Sequence, residues 1–392
     1  MIKEYVTFPQ LYKAYKDCRR HKRNKVSAAE FEMNLHENLQ SLYEDLNNGT
    51  YEIGTSIAFV VTKPKYREVF AADFRDRIVH HLLIRRIEPY FEDYFADNAY
   101  ACRKGKGTLY GVKDIESKIR EVSENYTKQV WILKLDIHSF FMSIDKKILT
   151  EKLVSFMKER CIDWEDLDWW INLAVQIIDN RPELNCCKHG DVTLWNYLPK
   201  NKSLFYSNGR GLPIGNLSSQ FFANFYLTAL DIFIKDTLHI VFGRYADDII
   251  MVSESKEELL KAIPKIRAFL DSELHLELHP DKIYLQPSRH GVIAFGTIVT
   301  GYGKLLPGGR TIGNAHTVLK QEILKWSKVP LERVHKTIMR ANSYFGYLIN
   351  TSSYNQRLKL MKVIMESPFG PYLIDYQNQY IKLLPKYKNI RL

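Results

Sequence analysis

The chain contains few cysteines, and their arrangement argues against a disulfide framework. Its 392 residues include five cysteines at scattered positions, an odd number that favours reduced thiols. Cys186, Cys187 and His189 suggest a zinc site, but adjacent cysteines chelate poorly and no second ligand pair has the usual spacing. We therefore interpret these residues as structural. The five cysteines are Cys18, Cys102, Cys161, Cys186 and Cys187.

The chain also has no long apolar run and no tract rich in proline or glycine. Residues 1–25 contain no apolar core of signal-peptide length, and no later run is long enough to span a bilayer. We therefore expect a cytoplasmic protein without a membrane partner. With 45% hydrophobic and 13% aromatic residues, the chain has the material for a large core and should be ordered almost throughout.

Positive charge is in excess. Lysine and arginine number 56 against 45 aspartate and glutamate, so the net charge is +11 and the pI is about 9.1. This balance suits a polyanionic partner, because each neutralised phosphate releases condensed counterions. A soluble basic protein without such a partner would have the same composition, so charge alone does not separate these alternatives.

The pattern of apolar and polar residues predicts alternating helices and strands. Strands are predicted over 57–62, 130–136, two segments within 244–252, and 292–300. The stretch 181–210 should be irregular, 301–310 should form a glycine-rich turn, and a basic helical lobe should follow from about residue 311. Helices are predicted over 27–46, 76–95, 146–158, 218–238 and 256–274.

Three carboxylates lie where apolar segments end. Asp136 closes a strand of otherwise apolar residues, and Asp247 and Asp248 occupy a turn between two apolar strands. Burying them is unfavourable unless cations neutralise them. Two magnesium ions held by such carboxylates would activate a primer 3′-hydroxyl and stabilise the leaving pyrophosphate. An Asp-Asp pair in a turn is more often only a turn, so its weight comes from the segments around it.

Five ordered motifs give the chain a specific likeness. Residues 134–145, 211–224, 245–248, 279–282 and 295–296 read KLDIHSFFMSID, GLPIGNLSSQFFAN, YADD, HPDK and FG. In this order and spacing they resemble the reverse transcriptase family over most of residues 55–310. The resemblance implies an α+β right-hand polymerase fold with fingers, a palm of antiparallel sheet plus helices, and a helical thumb. It divides the chain into a basic N-terminal segment (1–30), fingers and palm (31–300) and thumb (301–392).

The same resemblance implies an RNA-directed DNA polymerase that uses two Mg²⁺ ions, or Mn²⁺, with deoxynucleoside triphosphates as substrates. Asp136 and Asp247 would bind both metals, Asp248 would be a secondary ligand, and Ile137 would belong to the metal site. Phe141 or its neighbour Phe140 would exclude a 2′-hydroxyl.

Further residues are expected to contact the nucleotide or the primer. Lys63 and Arg67 would grip the triphosphate as point charge and fork, although Lys65, Arg75 and Arg77 compete for that role. The remaining expectations are nucleotide contacts at Ile214, Gly215 and Gln220, protonation of pyrophosphate by Lys282, and a primer grip at Phe295 and Gly296.

One departure from the common family pattern narrows the resemblance. Most relatives have Pro-Gln-Gly where this chain has Pro213-Ile214-Gly215, and a proline where it has Gln220. This pattern, and residues 100–108, resemble the reverse transcriptases of diversity-generating retroelements. Those enzymes copy an element-encoded template RNA, misincorporate opposite adenines and work with a small basic accessory protein. Ile214 is therefore a candidate for loosened base selection.

Several alternatives stay open. Antiphage-defence reverse transcriptases, which work with a non-coding RNA, share the motifs; a retron enzyme is disfavoured. A nucleic-acid-binding module on an inactive polymerase fold is disfavoured by the three acidic positions, and an RNA-making polymerase by Phe140-Phe141. In the C-terminal lobe, basic helices are expected to bind the duplex in its minor groove. Their basic residues are Arg310, Lys320, Lys325, Lys328, Arg333, Lys336 and Arg340.

Overall fold

The computed structural model describes residues 4–20, 22, 25–63, 65–323 and 331–387, without the side chains of residues 331, 332 and 386. His21, Arg23, Lys325 and Lys328, which belong to the predicted basic segments, lie outside the described residues. No helix in the described ranges is long and apolar enough to cross a membrane.

The described residues contain thirteen α-helices. Short 3₁₀ helices and one π turn (Phe233–Thr237) connect some of them. The α-helices are α1 (Phe8–Arg19), α2 (Val26–Met33), α3 (Leu35–Asn48), α4 (Phe74–Glu92), α5 (Thr108–Val122), α6 (Phe140–Ser143), α7 (Lys146–Arg160), α8 (Leu167–Asp179), α9 (Leu217–Ile232), α10 (Lys256–Leu274), α11 (Gly309–Ile323), α12 (Leu331–Leu348) and α13 (Tyr354–Met365).

Twelve strands are described, and they form four sheets. The strands are β1 (Ser56–Val61), β2 (Arg67–Ala71), β3 (Trp131–Asp136), β4 (Cys186–Lys188), β5 (Val241–Tyr245), β6 (Asp248–Ser253), β7 (Tyr284–Pro287), β8 (Val292–Ala294), β9 (Thr297–Val299), β10 (Leu305–Pro307), β11 (Leu373–Tyr376) and β12 (Tyr380–Leu383). Helices combined with these mainly antiparallel sheets confirm the predicted α+β class.

The central sheet has the order β5-β6-β3-β7 and is antiparallel throughout. Strand β3 is mostly apolar, as a strand covered on both faces requires. Its residues Ile132, Leu133 and Leu135 are buried. Its register with β6 runs from the pair Trp131–Ser253 to the pair Asp136–Asp248. Helices α4, α7, α8, α9 and α10 contribute to the large hydrophobic core around this sheet.

A second sheet, β2-β1-β4, forms what we call the finger hairpin (β1 and β2) with one added strand. β1 and β2 are antiparallel, with Val61 opposite Arg67, whereas β4 pairs with β1 in parallel. The stretch 181–210 was predicted to be irregular, but it contains strand β4 and several 3₁₀ turns.

The predicted helix over 27–46 is divided in the structure. Asn34 separates α2 from α3 with φ −124° and ψ 49°, which a continuous helix does not allow. The predicted end is confirmed, because Gly49 adopts φ +72° directly after α3.

The prediction for residues 292–310 was wrong in detail. The single strand expected over 292–300 is a hairpin of β8 and β9, because Phe295 and Gly296 both have positive φ and reverse the chain. Within the predicted turn, β10 returns and pairs with β9.

The C-terminal part contains α11, α12 and α13 around a second hydrophobic core, as the helical prediction indicated. It also contains the hairpin of β11 and β12, which the prediction of a helical lobe omitted. The Asn342 side chain on α12 fastens this hairpin by accepting from the Ile381 amide and donating to the Ile381 carbonyl, both at 2.8 Å. The proposed domain boundaries stay predictions.

Candidate active site

The three predicted carboxylates meet at one end of the central sheet. Asp136 ends β3, and Asp248 begins β6 directly opposite it. Asp247 lies in the two-residue connection between β5 and β6, where Ala246 adopts φ +53° and allows the tight reversal. Residues separated by more than a hundred positions in sequence are thereby neighbours.

In this arrangement the Asp247 carboxyl has a raised pKa and is a weaker acid than a free aspartate. Burial, followed by the nearby Asp136 carboxylate, raises the pKa of Asp247 to about 6; Asp248 acts in the same direction and Lys282 opposes it. Because the three carboxylates repel one another when charged, a bound cation would stabilise their ionised forms.

Two lysines neutralise the other carboxylates. Lys282 Nζ lies 2.7 Å from Asp136 Oδ1, and Lys134 Nζ lies 3.3 Å from Asp248 Oδ1. Lys282 is among the residues predicted for this site, and Lys134 is not. The signal was present, because residues two apart on a strand share a face and Lys134 is two residues from Asp136.

The donor set fits a divalent cation by its chemistry. Carboxylate oxygens are the ligands that magnesium prefers, and it takes few of them from protein. Among the described residues, however, no three Asp, Glu, His or Cys side chains are already arranged to hold a metal ion. Ile137 is buried and pairs with Leu278, so its apolar side chain has no ligand atom and only its main chain is available.

A buried ion pair, not predicted from the sequence, supports the turn at Ala246 and Asp247. Arg244 on β5 and Asp231 on α9 are both completely buried, with Nε and Oδ1 2.7 Å apart. The same guanidinium donates from Nη1 to the Ala246 carbonyl at 3.1 Å. A buried pair of this kind adds little net stability but specifies geometry. The available signal was an arginine in an otherwise apolar strand.

The glycine-rich loop 211–215 connects the palm to the finger hairpin. The Leu212 amide donates to the Phe141 carbonyl at 2.8 Å, and the Phe70 amide of β2 donates to the Ile214 carbonyl at 2.9 Å. Gly215 has φ +122°, and a Cβ there would lie 2.8 Å from Val69. The predicted nucleotide loop is therefore held on both sides. The Ile214 side chain packs against a small apolar cluster rather than projecting freely.

The two candidate phenylalanines differ in environment. Phe140 is 3% exposed and belongs to the main core, whereas Phe141 is only partly buried and packs against it. Their rings are in edge contact at 5.4 Å. Of the pair, Phe141 is the one with surface left for a ligand.

The lysines and arginines predicted to bind the triphosphate also differ in environment. Lys63, Lys65 and Arg67 are exposed around the tip of the finger hairpin. In contrast, Arg75 forms an ion pair with Asp45 and donates to a main-chain carbonyl, and Arg77 donates to the Ala72 carbonyl at 2.7 Å. The structure thus leaves Lys63, Arg67 and Lys65 as candidates for the triphosphate.

Three predicted residues remain, Phe295, Gly296 and Gln220. Phe295 has φ +50°, and its ring centroid lies 5.4 Å from that of Tyr245, so the predicted primer turn adjoins the turn that carries Asp247. Gly296 has φ +95° and its carbonyl accepts from Tyr347 at 2.7 Å. Gln220 is exposed and accepts from the Cys102 thiol at 3.4 Å.

Comparison with known proteins agrees with this geometry. Residues 61–291 match the family model described as reverse transcriptase (RNA-dependent DNA polymerase). Protein YkfC of Escherichia coli K12 is 20% identical over 296 residues, which are 66% of this chain and 70% of YkfC. Nuclear intron maturase 1 of Arabidopsis thaliana mitochondria is 25% identical over 103 residues, 26% of this chain and 14% of the maturase.

Two telomerase structures share distant similarity. An apo telomerase of Candida tropicalis truncated from its C-terminal domain has a TM-score of 0.48 and 10% identity, over 65% of this chain and 55% of that one. The Candida albicans telomerase in complex with a fragment of telomeric RNA has a TM-score of 0.42 and 11% identity, over 84% and 64% of the two chains. Because the family model covers more than half of the sequence, with the five motifs in order, the chain belongs to the reverse transcriptase family and is an RNA-directed DNA polymerase with the right-hand fold.

Proposed function

We propose that this enzyme makes complementary DNA by two-metal nucleotidyl transfer, with Asp136 and Asp247 as ligands of both ions and Asp248 as a secondary ligand. The observation that carries the proposal is the register of the central sheet, which sets Asp136 opposite Asp248 with Asp247 in the adjoining turn. When bound, Mg²⁺ or Mn²⁺ would activate the primer 3′-hydroxyl and stabilise the leaving pyrophosphate.

The chain's own residues have separate tasks in this proposal. The Lys282 ammonium is held at the site by its contact with Asp136, from which it can donate a proton to the departing pyrophosphate. Lys63 and Arg67 bind the triphosphate from the tip of the finger hairpin, as point charge and fork.

Nucleotide selection is assigned to Phe141 and the loop 211–215. The partly exposed Phe141 ring stands under the sugar and excludes a 2′-hydroxyl, so DNA is made. Ile214 offers no hydrogen bond to a nucleotide, and we propose that base selection is loosened there; Gly215 and Gln220 are the neighbouring nucleotide contacts. Phe295 and Gly296 hold the primer end.

For the biological role we propose synthesis from an element-encoded RNA in a diversity-generating retroelement, assisted by a small basic protein. The support is the Ile-Gly-x-x-x-Ser-Gln pattern at residues 214–220 and the sequence of residues 100–108. An antiphage-defence enzyme working with a non-coding RNA is the competing assignment.

Primer extension tests the chemistry. Replacing Asp247 and Asp248 together by alanine should abolish deoxynucleotide incorporation on an RNA template, because the site loses two of its carboxylates. The matched control, Asp271→Ala with Glu273→Ala, removes two exposed carboxylates from α10 and should retain activity. Synthesis that persists in the Asp247/Asp248 variant would refute the two-metal assignment.

Sequencing the cDNA together with co-purified RNA tests the biological role. Errors concentrated opposite template adenines support the diversifying element, and Ile214→Gln should reduce them. Repetitive products, or products unrelated to an element-encoded repeat, would support the defence assignment instead.

A further inference from the structure

Lys134 is a partly buried lysine on the face of β3 that also carries Asp136. Ile132, on the same face, belongs to the apolar cluster that β3 and β6 form with the hairpin of β8 and β9, here called the primer hairpin. The Lys134 side chain is 18% exposed. An ammonium in such a position requires acceptors, because burying an unsatisfied charge is unfavourable.

The two acceptors of the Lys134 ammonium belong to different elements. Its Nζ lies 3.3 Å from Asp248 Oδ1 at the start of β6 and donates to the Ile293 carbonyl of β8 at 3.1 Å. Among the described residues, Lys134 is the only cation that forms an ion pair with Asp248. Ile293 lies two residues before Phe295, so one ammonium joins an active-site carboxylate to the primer hairpin.

Lys282, the other lysine at the site, lacks such a second contact. In the described structure its ammonium has one acceptor, Asp136 Oδ1, and its side chain is 38% exposed, so it stays available to a ligand. Lys134 is less exposed, and both of its acceptors belong to the protein. Only one of its three N–H donors is then left for a substrate phosphate, which favours a structural link over direct substrate binding.

We propose that Lys134 is a positioning residue that couples Asp248 to the primer hairpin and so fixes the carboxylate relative to the primer end. The inference rests on the proposed function, in which Phe295 and Gly296 hold the primer end. Strands β3 and β8 belong to different sheets, so no strand pairing between them sets their relative position. Because misplacing a reacting atom by about 1 Å can reduce a rate about a hundredfold, this contact bears directly on the chemical step.

Hydrogen–deuterium exchange without metal and nucleic acid tests the coupling itself. Lys134→Met keeps the length of the side chain but removes the ammonium. It should accelerate exchange of the primer-hairpin amides about fivefold, the scale of one partly exposed ion pair. Lys134→Arg retains a charged donor and should exchange as the unaltered protein does. The control is Lys146→Met, which removes a lysine that donates to the Asn180 carbonyl at 2.7 Å and should leave the primer hairpin unchanged.

A double-mutant cycle distinguishes coupling from two independent effects. Asp248→Ala should also accelerate exchange in the primer hairpin, because Lys134 loses one of its two acceptors. The variant with both replacements should exchange no faster than Lys134→Met alone. Unchanged exchange in Lys134→Met, equal acceleration in Lys134→Arg, or additive effects of the two replacements would each overturn the coupling.

Addition of a single nucleotide tests the consequence for the reaction. Lys134→Met should lower kcat about tenfold and leave the nucleotide KM unchanged, because the predicted nucleotide contacts involve other residues. Lys134→Arg should restore kcat. A raised KM with unchanged kcat would show that Lys134 binds a substrate phosphate and would overturn the inference. Accelerated exchange together with unchanged kcat would instead refute the proposed function of Phe295 and Gly296 at the primer end.

Discussion

Phe140 and Phe141 are adjacent in the chain but have different surroundings. The short helix α6 turns the first ring into the main core and leaves the second partly exposed beside the loop 211–215. From the sequence alone the two are equivalent, because nothing local distinguishes a core ring from a selecting ring. Because their surroundings differ, replacing each phenylalanine by alanine should have a different effect.

Phe141→Ala should relax discrimination between deoxyribonucleotides and ribonucleotides by about ten- to a hundredfold, the scale on which a shaped pocket separates similar substrates. Phe140→Ala should leave discrimination unchanged in the folded fraction and destabilise the protein by about 3–5 kcal/mol. Primer extension with each nucleotide type measures the first effect and urea unfolding the second. Unaltered ribonucleotide exclusion in Phe141→Ala would show that another group performs the selection.

Local patterns predicted most elements, and long-range contacts explain the exceptions. α10 has the bounds that its apolar spacing predicts, and β3 closely follows its apolar run. The break at Asn34, the reversal at Phe295-Gly296 and the hairpin of β11 and β12 depend on what each segment packs against. The same reason applies at the site: the motifs identified Asp136, but the partners of Lys134 and Arg244 lie on other strands and helices.

Helix α4 contains two histidines that make the protein acid-sensitive. His80 is 4% exposed, and burial lowers its pKa to about 3; burial also lowers the pKa of His81 to about 4, with Lys22 adding to the effect. On the same helix, burial raises the pKa of Asp76 to about 6. A lowered folded-state pKa contributes stability that is present above the unfolded value of 6.5 and is lost as pH falls; Asp76 opposes this between its two values.

His80→Leu should therefore flatten the pH dependence of unfolding. Each buried neutral histidine removes about 1.4 kcal/mol of stability per pH unit below its unfolded pKa, and the variant lacks one of them while Asp76 still acts. Urea unfolding at a series of pH values compares the slopes, with exposed His36→Asn as the composition control. An unchanged slope in His80→Leu would mean that His80 is protonated in the folded protein.

At the scale of the whole molecule, one hydroxyl connects the C-terminal core to the predicted primer grip. Tyr347 on α12 donates to the Gly296 carbonyl at 2.7 Å, accepts from the Gly308 amide at 3.3 Å and lies 3.1 Å from the Thr297 hydroxyl. The C-terminal helices therefore hold the turn at which the primer end is expected to lie.

Tyr347→Phe should shorten the products made per binding event severalfold, because the turn at Gly296 loses its tether while the carboxylates are unaffected. Processivity in the presence of a trap measures this, and addition of a single nucleotide should change much less. Tyr344→Phe, three residues earlier on the same helix, removes a hydroxyl that has no hydrogen bond in the described structure. Equal processivity in the Tyr347 and Tyr344 variants would contradict the coupling.

Asp136 and Asp247, distant in sequence, are proposed to share two divalent cations. Electron paramagnetic resonance titration of Mn²⁺ into the enzyme, bound to primer–template and an unreactive nucleotide, measures this directly. We expect two bound ions in the unaltered protein, and weaker binding of both in Asp136→Asn and in Asp247→Asn, with Asp271→Asn unchanged. Undiminished binding of both ions in either of the first two variants would contradict the shared site.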